Sequence, residues 1–515
     1  MKKWALAVLT LCLFLSGCSV NPVTGERNLN FMSEDWERQV GAEMYAPMRQ
    51  SQGGDFILDP ELASYVQAVG TRLAAHASRD LPYEFHVLND SVPNAWALPG
   101  GKIVINRGLL TELHSEAELA AVLGHEIVHA DAAHGARSQS KGALLQVGAM
   151  AGTIYLSGKA DSNAGAQAAQ IVPMLGAQLI SQKYGRDAER ESDYYGMTYM
   201  SRAGYDPQGA VELQQTFVKL SEGRKSDWLS GLFASHPASQ ERVSNNRETA
   251  LKLPSGGERS EATYRQKIAY LERVNPAYKA NDKGRKALAE DDITGARELA
   301  DQALELEPRE ALFHALSGDI YATEKKYRRA EQAFNLALER DASYFYHYLR
   351  RGMVRHELGR SDAARQDLQT SLELLPTAQA HYLLGQIDLS NGNRDAAMAH
   401  FDAARSSNSE AGVNSNRELA RMDPLQYLQV QAAMDQAGKA YAVLKNTAPV
   451  TLGNISLQVL YLDRNGQRQQ INRQLNRKLG AGKSVNIPLG LGGYEDYTDL
   501  NQRLRVSANS AKALN

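Results

Sequence analysis

The chain has 515 residues, of which 43% are hydrophobic and 23% are charged, and its formal net charge at pH 7 is -2. This length exceeds what a single hydrophobic core supports, so we expect about three domains. The near-neutral charge provides no bulk attraction to nucleic acid or to an anionic membrane, and nucleic acid is therefore not among the predicted partners.

The first 17 residues predict an export signal. Lys2 and Lys3 precede an apolar run from Trp4 to Leu15, which is too short to span a membrane. The sequence Leu15-Ser16-Gly17-Cys18 resembles a bacterial lipobox, which implies cleavage before Cys18 and attachment of lipid to its thiol. Because Ser19 favours the outer membrane, we predict a periplasmic lipoprotein on that membrane. A plain secretory signal is the alternative.

Two further features bound the mature chain. The only other cysteine, Cys12, lies inside the signal, so we expect no disulfide after cleavage. The apolar stretch from Gly142 to Leu156 is shorter than the ~20 residues that a membrane span needs. We predict a buried or cleft-lining helix there, with peripheral membrane contact as the alternative.

The residues after the signal and a short linker predict a mainly helical domain with a small β-sheet. In chain order, the predicted elements are a helix capped by Ser33, a helix from Pro60 to Ser78, short strands between Pro82 and Ile105, a helix opened by the capping box Ser115 and Glu118, and a helix from Gln178 to Ala203. The linker Pro254-Ser255-Gly256-Gly257 ends this domain.

An internal repeat follows the linker. The residues Gly284, Gly318, Gly352 and Gly385 recur at spacings of 34, 34 and 33, and alanine stands 12 residues after each of them. Small residues at fixed places in a unit of ~34 residues are what closely packed pairs of helices require. The pattern resembles the tetratricopeptide repeat, and it predicts an α-solenoid of four units.

The last part of the chain changes to strand-like patterns. Strands are predicted at Tyr441–Leu444, Ile455–Leu462 and Ser484–Leu489, with an Asn-Gly turn near Asn465. We therefore predict a small C-terminal all-β sandwich. The expected organisation is a signal at 1–17, a linker at 18–32, a first domain at 33–254, a repeat domain at 262–422 and a β-sandwich at 440–515.

The motif His125-Glu126-Ile127-Val128-His129 carries the chemistry. Two histidines four apart on a helix lie about 40° from each other on one face, so both imidazoles can reach one metal ion. Glu126 lies beside them and can take a proton from a water that the metal holds. This is a hydrolase pattern, but it supplies only two ligands and a base.

The motif leaves the third ligand open, and the sequence permits a candidate on a later helix without requiring it. Glu189 and Asp193 are four apart on one helix face, and that helix can pack antiparallel to the first one. The alternative is a solvated charged face. Glu191 competes with Glu189, but its spacing to Asp193 does not fit. We exclude His134, because no glycine turn separates it from His129 and it would point away on a continuous helix.

The motif, together with Glu189-Arg190-Glu191-Ser192-Asp193, resembles the Glu-zinc metallopeptidases, the family of the CAAX prenyl endopeptidase and HtpX. Asn21–Gly25, Ala95–Gly101 and His236–Arg242 are similar to that family as well. With the lipobox and the repeats, the resemblance is strongest to BepA-type periplasmic proteases. It covers residues ~20 to ~420, and the C-terminal sandwich departs from the BepA pattern.

The resemblance implies a zincin-like metallopeptidase domain that holds one Zn²⁺ per chain through His125, His129 and Glu189. It also implies that Glu126 is the general base, which activates water and later donates the proton to the leaving amine.

Three further expectations rest on the same resemblance. Asp193 would orient a ligand imidazole by accepting its second N–H. His236 would cap the zinc or stabilise the oxyanion, and the alternative is a histidine on a surface loop. Ala95–Gly101 would hold an extended substrate by main-chain pairing, and the alternative is an ordinary buried strand.

We therefore predict a zinc endopeptidase that cleaves misfolded or stalled polypeptides in outer-membrane protein quality control. The repeats would recruit unfolded substrates or the outer-membrane protein assembly machinery. The alternative is a non-enzymatic assembly factor or holdase that uses the repeats as an adaptor. Glu126 favours the enzyme, because a purely structural site needs no base. A lipid-processing or prenyl-protein enzyme is disfavoured by the lack of predicted spanning helices.

Overall fold

A computed structural model describes residues 18–142, 184–223, 236–463 and 465–514. The export signal, most of the stretch from Gly142 to Leu156 and the start of the predicted Gln178–Ala203 helix lie outside these ranges. The chain divides into two units, Met1–His347 and Tyr348–Asn515.

The first unit contains a two-stranded hairpin, a three-stranded sheet and a set of helices. Its elements are β1 (Cys18–Val20), β2 (Arg27–Leu29), α1 (Glu34–Ser51), α2 (Pro60–Ala74), β3 (Glu84–Leu88), β4 (Ala95–Leu98), β5 (Lys102–Asn106), α3 (Arg107–Leu110), α4 (Glu116–Asp131), α5 (Arg186–Arg202), α6 (Gln208–Gly223), α7 (Gln240–Lys252), α8 (Glu261–Ala289), α9 (Ile293–Leu306), α10 (Ala311–Thr323) and α11 (Tyr327–Arg340).

Helix α1 begins where its cap predicts, since the Ser33 side chain accepts from the Trp36 backbone N–H. Helix α2 is shorter than predicted and ends at Ala74. The backbone N–H groups of Ser78 and Arg79, which would have continued the pattern, instead donate to the Asp131 carboxylate, each at 2.8 Å. A tertiary hydrogen bond thus replaces the last helical turn.

The predicted small sheet is present, with strand order β3-β5-β4. Strand β3 is parallel to β5, and β4 is antiparallel to β5. Strand β4 therefore lies at an edge of this sheet, and it contacts α4.

Helix α4 is the centre of the first unit. All of its 16 residues are buried, because it packs against α2, α5, α6 and the sheet. It contacts α5 closely through two glycines: a Cβ on Gly196 would lie 3.0 Å from the Gly124 carbonyl carbon and from the His125 nitrogen. The absence of side chains at both positions lets the two helix backbones approach each other.

The repeat glycines occupy contacts that larger residues could not. A Cβ on Gly318 would lie 2.7 Å from the ring of Phe334, and one on Gly385 would lie 2.6 Å from the ring of Phe401. In each pair, the aromatic ring of the second helix fills the space that the glycine of the first helix leaves. The predicted solenoid of helix pairs is confirmed.

The repeat helices that follow are α12 (Phe345–Glu357), α13 (Ser361–Leu374), α14 (Ala378–Ser390), α15 (Arg394–Ala404) and α16 (Glu410–Met422).

The C-terminal strands are β6 (Leu428–Met434), β7 (Lys439–Asn446), β8 (Thr451–Leu462), β9 (Arg468–Leu475), β10 (Ser484–Gly492) and β11 (Leu504–Leu514), and a short helix α17 (Tyr497–Arg503) precedes the last one. They form two three-stranded antiparallel sheets, in the orders β10-β7-β6 and β11-β8-β9. Residues from both sheets share one hydrophobic core, so the predicted sandwich is confirmed. Its first strand begins at Leu428, earlier than the pattern indicated.

Among the described residues, none of the helices combines the length and apolarity that crossing a bilayer requires.

Candidate metal centre

Helix α4 presents His125, Glu126 and His129 from a well-defined start. The Ser115 side chain accepts from the Glu118 backbone N–H at 3.1 Å. In return, the Glu118 carboxylate accepts from the backbone N–H of His114 at 2.8 Å, one residue before the position that a capping box uses. Both predicted capping residues, Ser115 and Glu118, thus accept hydrogen bonds at the start of α4. The helix therefore begins at a defined residue, which determines the face on which the motif lies.

Four side chains converge beyond the motif. His125, His129, Glu189 and His236 each offer one ligand atom, and these atoms lie within 4.8 Å of one another. The Nε2 atoms of His125 and His129 are 3.0 Å apart. Glu189 Oε2 lies 3.6 Å from the first, and Glu189 Oε1 lies 3.4 Å from the second. Helices α4 and α5 therefore pack as the sequence permits, and they bring Glu189 to the histidines.

The electrostatics of this group suit a metal ion. Burial lowers the pKa of His129 well below its usual value, which keeps the imidazole neutral. Burial alone would raise the pKa of Glu189, but His236 and His125 more than offset that effect and hold it well below its usual range. A neutral imidazole and an ionised carboxylate are the forms that coordinate metal. Glu189 Oε2 has no hydrogen-bond partner among the described residues, although Arg242 Nη1 lies 3.1 Å from it.

Glu126 is buried beside the group. Burial raises the pKa of its carboxyl, which makes it a stronger proton acceptor than a solvated glutamate. Its Oε1 lies 3.5 Å from His236 Nε2, and its Oε2 has no hydrogen-bond partner in the described part of the chain. A buried carboxylate with one free oxygen has the properties of a general base.

Asp193 lies behind the first histidine. Its Oδ1 is 3.0 Å from His125 Nδ1, on the side of the ring opposite to the ligand atom. Arg242 holds the same carboxylate with two N–H groups, each at 2.7 Å. Asp193 thus lies one helical turn beyond Glu189, with its carboxylate between the His125 ring and Arg242.

Arg242 was not predicted as a functional residue. Besides Asp193, its Nη1 approaches Glu189 Oε2 to 3.1 Å, although that contact is not aligned as a hydrogen bond. Arg242 is 7% exposed, and a buried guanidinium must be paired with carboxylates. Its place six residues after His236, in a segment that matched the family, was the signal that could have identified it.

His236 is 3% exposed, which excludes the surface-loop alternative. Its Nδ1 lies 3.0 Å from Glu189 Oε1 and 3.2 Å from His125 Nε2. His236 is therefore the fourth member of the group, and it lies between Glu189 and His125.

His134 is outside the group of four, as expected, but the reason given for excluding it is wrong. Helix α4 ends at Asp131, and Ala133 has a positive φ of 54° although it is not a glycine. The chain thereby turns, and His134 Nδ1 comes to 2.9 Å from His129 Nδ1. Glu191, the rival ligand, lies beyond His134 and not among the four.

A pocket opens beside His125 and Glu126. Its wall is mainly apolar and includes Ala95, Val122, Met197, Met200, Leu213 and Phe217. Because Ala95 belongs to edge strand β4, the pocket lies between that edge and the candidate metal centre. All four residues of β4 are buried.

Comparison with known proteins agrees with both parts of this architecture. Residues 60–250 match the model of peptidase family M48, and residues 281–345 and 349–411 match a tetratricopeptide repeat model.

Three relatives illustrate the likeness. The chain is 33% identical over 203 residues to a putative beta-barrel assembly-enhancing protease of Vibrio cholerae, and this match covers 38% of this chain and 41% of the relative. It is 30% identical over 270 residues to the beta-barrel assembly-enhancing protease of Escherichia coli, covering 51% and 54%. It is 32% identical over 226 residues to the mitochondrial metalloendopeptidase OMA1 of Schizosaccharomyces pombe, covering 43% and 63%. The chain thus spans about half the length of these relatives.

Proposed function

We propose that this chain, which carries a peptidase family M48 domain followed by tetratricopeptide repeats, is a zinc-dependent endopeptidase that cleaves misfolded or stalled polypeptides in the periplasm. One observation carries the proposal: His125, His129 and Glu189 meet in a buried group, and the Glu126 carboxylate lies at its edge with a free oxygen.

The donor set supports zinc as the metal. Two imidazole nitrogens and one carboxylate oxygen are a common catalytic set for Zn²⁺, which leaves a further position open for water or substrate. In this proposal, His125, His129 and Glu189 are the ligands of one ion per chain. Bound zinc would supply Lewis acidity, which lowers the pKa of a water and polarises the scissile carbonyl.

The chain's own residues then move the proton. Glu126 accepts it from the attacking water, and the raised pKa of its buried carboxyl favours that transfer. After the carbon–nitrogen bond breaks, Glu126 donates the same proton to the leaving amine. His236 lies next to Glu126 and faces the reacting groups, where it can stabilise the oxyanion or close the site.

We propose that edge strand β4 binds an extended substrate by main-chain pairing. It pairs with β5 along one side, and Ala95 lines the pocket beside Glu126. A polypeptide that adds to such an edge is recognised through its main chain, largely independently of its sequence. Unfolded chains offer this main chain, whereas folded ones do not.

The relatives support a role in outer-membrane protein assembly. Two of them are named for beta-barrel assembly, and we propose that this chain acts in outer-membrane protein quality control. The repeats would recruit unfolded polypeptides or the assembly machinery, since stacked helical repeats form extended binding surfaces. We further propose that a lipid on Cys18 anchors the mature chain to the periplasmic side of the outer membrane.

Labelling of cells with a radioactive fatty acid tests the anchor. The wild-type chain is expected to incorporate the label and to sediment with outer membranes. The variant Cys18→Ser is expected to lose both properties. Equal labelling of Cys18→Ser would show that the lipobox resemblance is accidental.

Zinc content and cleavage of an unfolded protein test the enzyme. We expect Glu126→Gln to keep about one zinc per chain and to lose cleavage by about 10²- to 10⁴-fold. Glu189→Ala should lose both, and Glu61→Gln, an exposed change in the same domain, should lose neither. Retained cleavage by purified Glu126→Gln would refute the mechanism. A wild type that binds zinc and suppresses aggregation without cleavage would instead favour the holdase alternative.

A further inference from the structure

The N-terminal hairpin reaches the candidate metal centre. Strands β1 and β2 pair from Cys18 opposite Leu29 to Val20 opposite Arg27, and Asn21 begins the loop between them. Asn21 is 2% exposed, and its Nδ2 donates to Glu191 Oε1 at 2.6 Å. These residues are 170 positions apart, so the contact belongs to the tertiary fold and not to the hairpin itself.

Both ends of the Asn21 amide are in use. Its Oδ1 accepts from the backbone N–H groups of Val23 at 2.9 Å and Thr24 at 3.4 Å, which shapes the turn. The Nδ2 group is thereby directed towards Glu191. An aspartate at this position could shape the same turn, but it could not donate to a carboxylate.

Glu191 in turn faces His134. The Glu191 Oε1 atom lies 3.4 Å from His134 Nε2, an electrostatic contact that is not aligned as a hydrogen bond. On the other side of the His134 ring, Nδ1 lies 2.9 Å from His129 Nδ1. The order of contacts is therefore Asn21, Glu191, His134 and His129.

These contacts are consistent with one tautomer of His129, in which Nε2 carries no proton and can bind the metal. His129 Nε2 is the atom that faces the ligand group, so the ring proton must lie on Nδ1. Nδ1 can then donate to His134 Nδ1, and the His134 proton lies on Nε2 towards the Glu191 carboxylate. A partner of this kind fixes both the tautomer and the orientation of a ligand imidazole.

We infer that Asn21, Glu191 and His134 are positioning residues for the ligand His129, and that the N-terminal hairpin is a structural part of the metal centre. Each histidine of the motif then has its own partner at Nδ1: Asp193 serves His125, and His134 serves His129. This inference rests on the proposed function for the identity of the ligands, and it assigns a role to the Asn21–Gly25 segment.

The segment after the hairpin is tied to the same region. The backbone N–H of Phe31 donates to Ser140 Oγ at 2.9 Å, and Ser140 Oγ donates to Asn30 Oδ1 at 3.2 Å. Ser140 lies in the helical stretch that begins at His134. The N-terminal segment therefore contacts both Glu191 and the helix that carries His134.

A chelator-competition titration of zinc with the full chain tests the inference. Asn21→Asp keeps the acceptor of the turn but places a second carboxylate against Glu191. Since partners of ligand histidines change metal affinity by about 10- to 100-fold, we expect a loss of about tenfold or more. Asn28→Asp is the matched control: it adds the same charge to strand β2 of the same hairpin, at an amide whose Nδ2 has no hydrogen-bond partner among the described residues. It should bind zinc like the wild type.

His134→Phe provides a second variant with preserved packing. It removes the acceptor for His129 Nδ1, and we expect a loss of zinc affinity of about tenfold or more and an altered visible spectrum of the Co²⁺-substituted chain. Combination with Asn21→Asp should add little further loss, because both act through the same contacts. Wild-type affinity in both single variants would overturn the inference.

The proposed function can fail separately. If the wild type binds zinc through His125, His129 and Glu189 but does not cleave polypeptide, the peptidase proposal fails and the positioning inference stands. If Asn21→Asp and His134→Phe both bind zinc as tightly as Asn28→Asp while cleavage by the wild type is confirmed, only the positioning inference fails.

Discussion

His125 Nδ1 lies 3.0 Å from Asp193 Oδ1, and two N–H groups of Arg242 hold that same carboxylate at 2.7 Å. A charged, bidentate pair of this kind leaves the carboxylate little freedom to rotate. The orientation of the His125 ring is thereby determined by two residues outside the group of four candidate ligands.

Asp193→Asn tests this orientation. The amide is neutral and presents an NH₂ group where an oxygen was, so it holds both His125 and Arg242 less well. We expect zinc affinity to fall by about 10- to 100-fold, measured by chelator competition. Asp187→Asn is the matched control, because Asp187 lies on the same helix with its side chain 99% exposed. Equal affinities of the two variants would contradict the orienting role.

Gly196→Ala tests the close approach of α4 and α5. The new Cβ would lie 3.0 Å from backbone atoms of Gly124 and His125, and backbone cannot move aside as a flexible side chain can. We expect the free energy of unfolding to fall by about 1–3 kcal/mol and zinc affinity to fall with it. Gly142→Ala, where the added Cβ meets no described residue within 4 Å, is the control and should be neutral or slightly stabilising. Urea denaturation and zinc titration of both variants measure the effect.

His236→Ala distinguishes a ligand from a group that acts on the reaction. His236 contacts Glu189 and faces Glu126, but the three proposed ligands remain when it is removed. We expect the rate of polypeptide cleavage to change by about tenfold or more, with little loss of zinc. His114→Ala, at a side chain 73% exposed, should change neither. A loss of zinc as large as that in His125→Ala would identify His236 as a resident ligand.

His347→Phe tests a pH dependence outside the metal centre. Burial lowers the pKa of His347 to about 3, and neither ring nitrogen has a hydrogen-bond partner among the described residues. The unfolded chain therefore takes up a proton below about pH 6.5 that the folded chain does not, and stability falls as the pH decreases from about 6.5 towards 3.

Between about pH 7.5 and pH 5, this single group should cost about 2 kcal/mol of stability in the wild type. His347→Phe keeps an aromatic ring in the same place and should reduce the loss by that amount. Urea denaturation at the two pH values measures it. An identical pH dependence in wild type and variant would show that His347 is protonated or solvated in the folded chain.

Local patterns predicted many elements correctly. The caps at Ser33 and Ser115, the alternation around Phe85 and the repeat glycines depend on neighbours within a few residues or within one repeat. The end of α2 was mispredicted, because the donors of Ser78 and Arg79 bind a carboxylate 53 and 52 residues away.

The candidate metal centre, too, has parts that local sequence patterns predict and parts that depend on tertiary packing. Helical periodicity by itself determined that His125, Glu126 and His129 lie near one another, because their spacing places them in adjacent positions on any helix. Only the tertiary structure decided that Glu189, not Glu191, meets them, and that Arg242 holds Asp193. Residues on separate helices meet only after packing has chosen which faces come together, and Gly124 and Gly196 make that choice at the contact of α4 and α5. The turn at Ala133 and the reach of Asn21 to Glu191 depend on backbone conformation and on contacts over 170 residues, for which a single sequence carries no local signal.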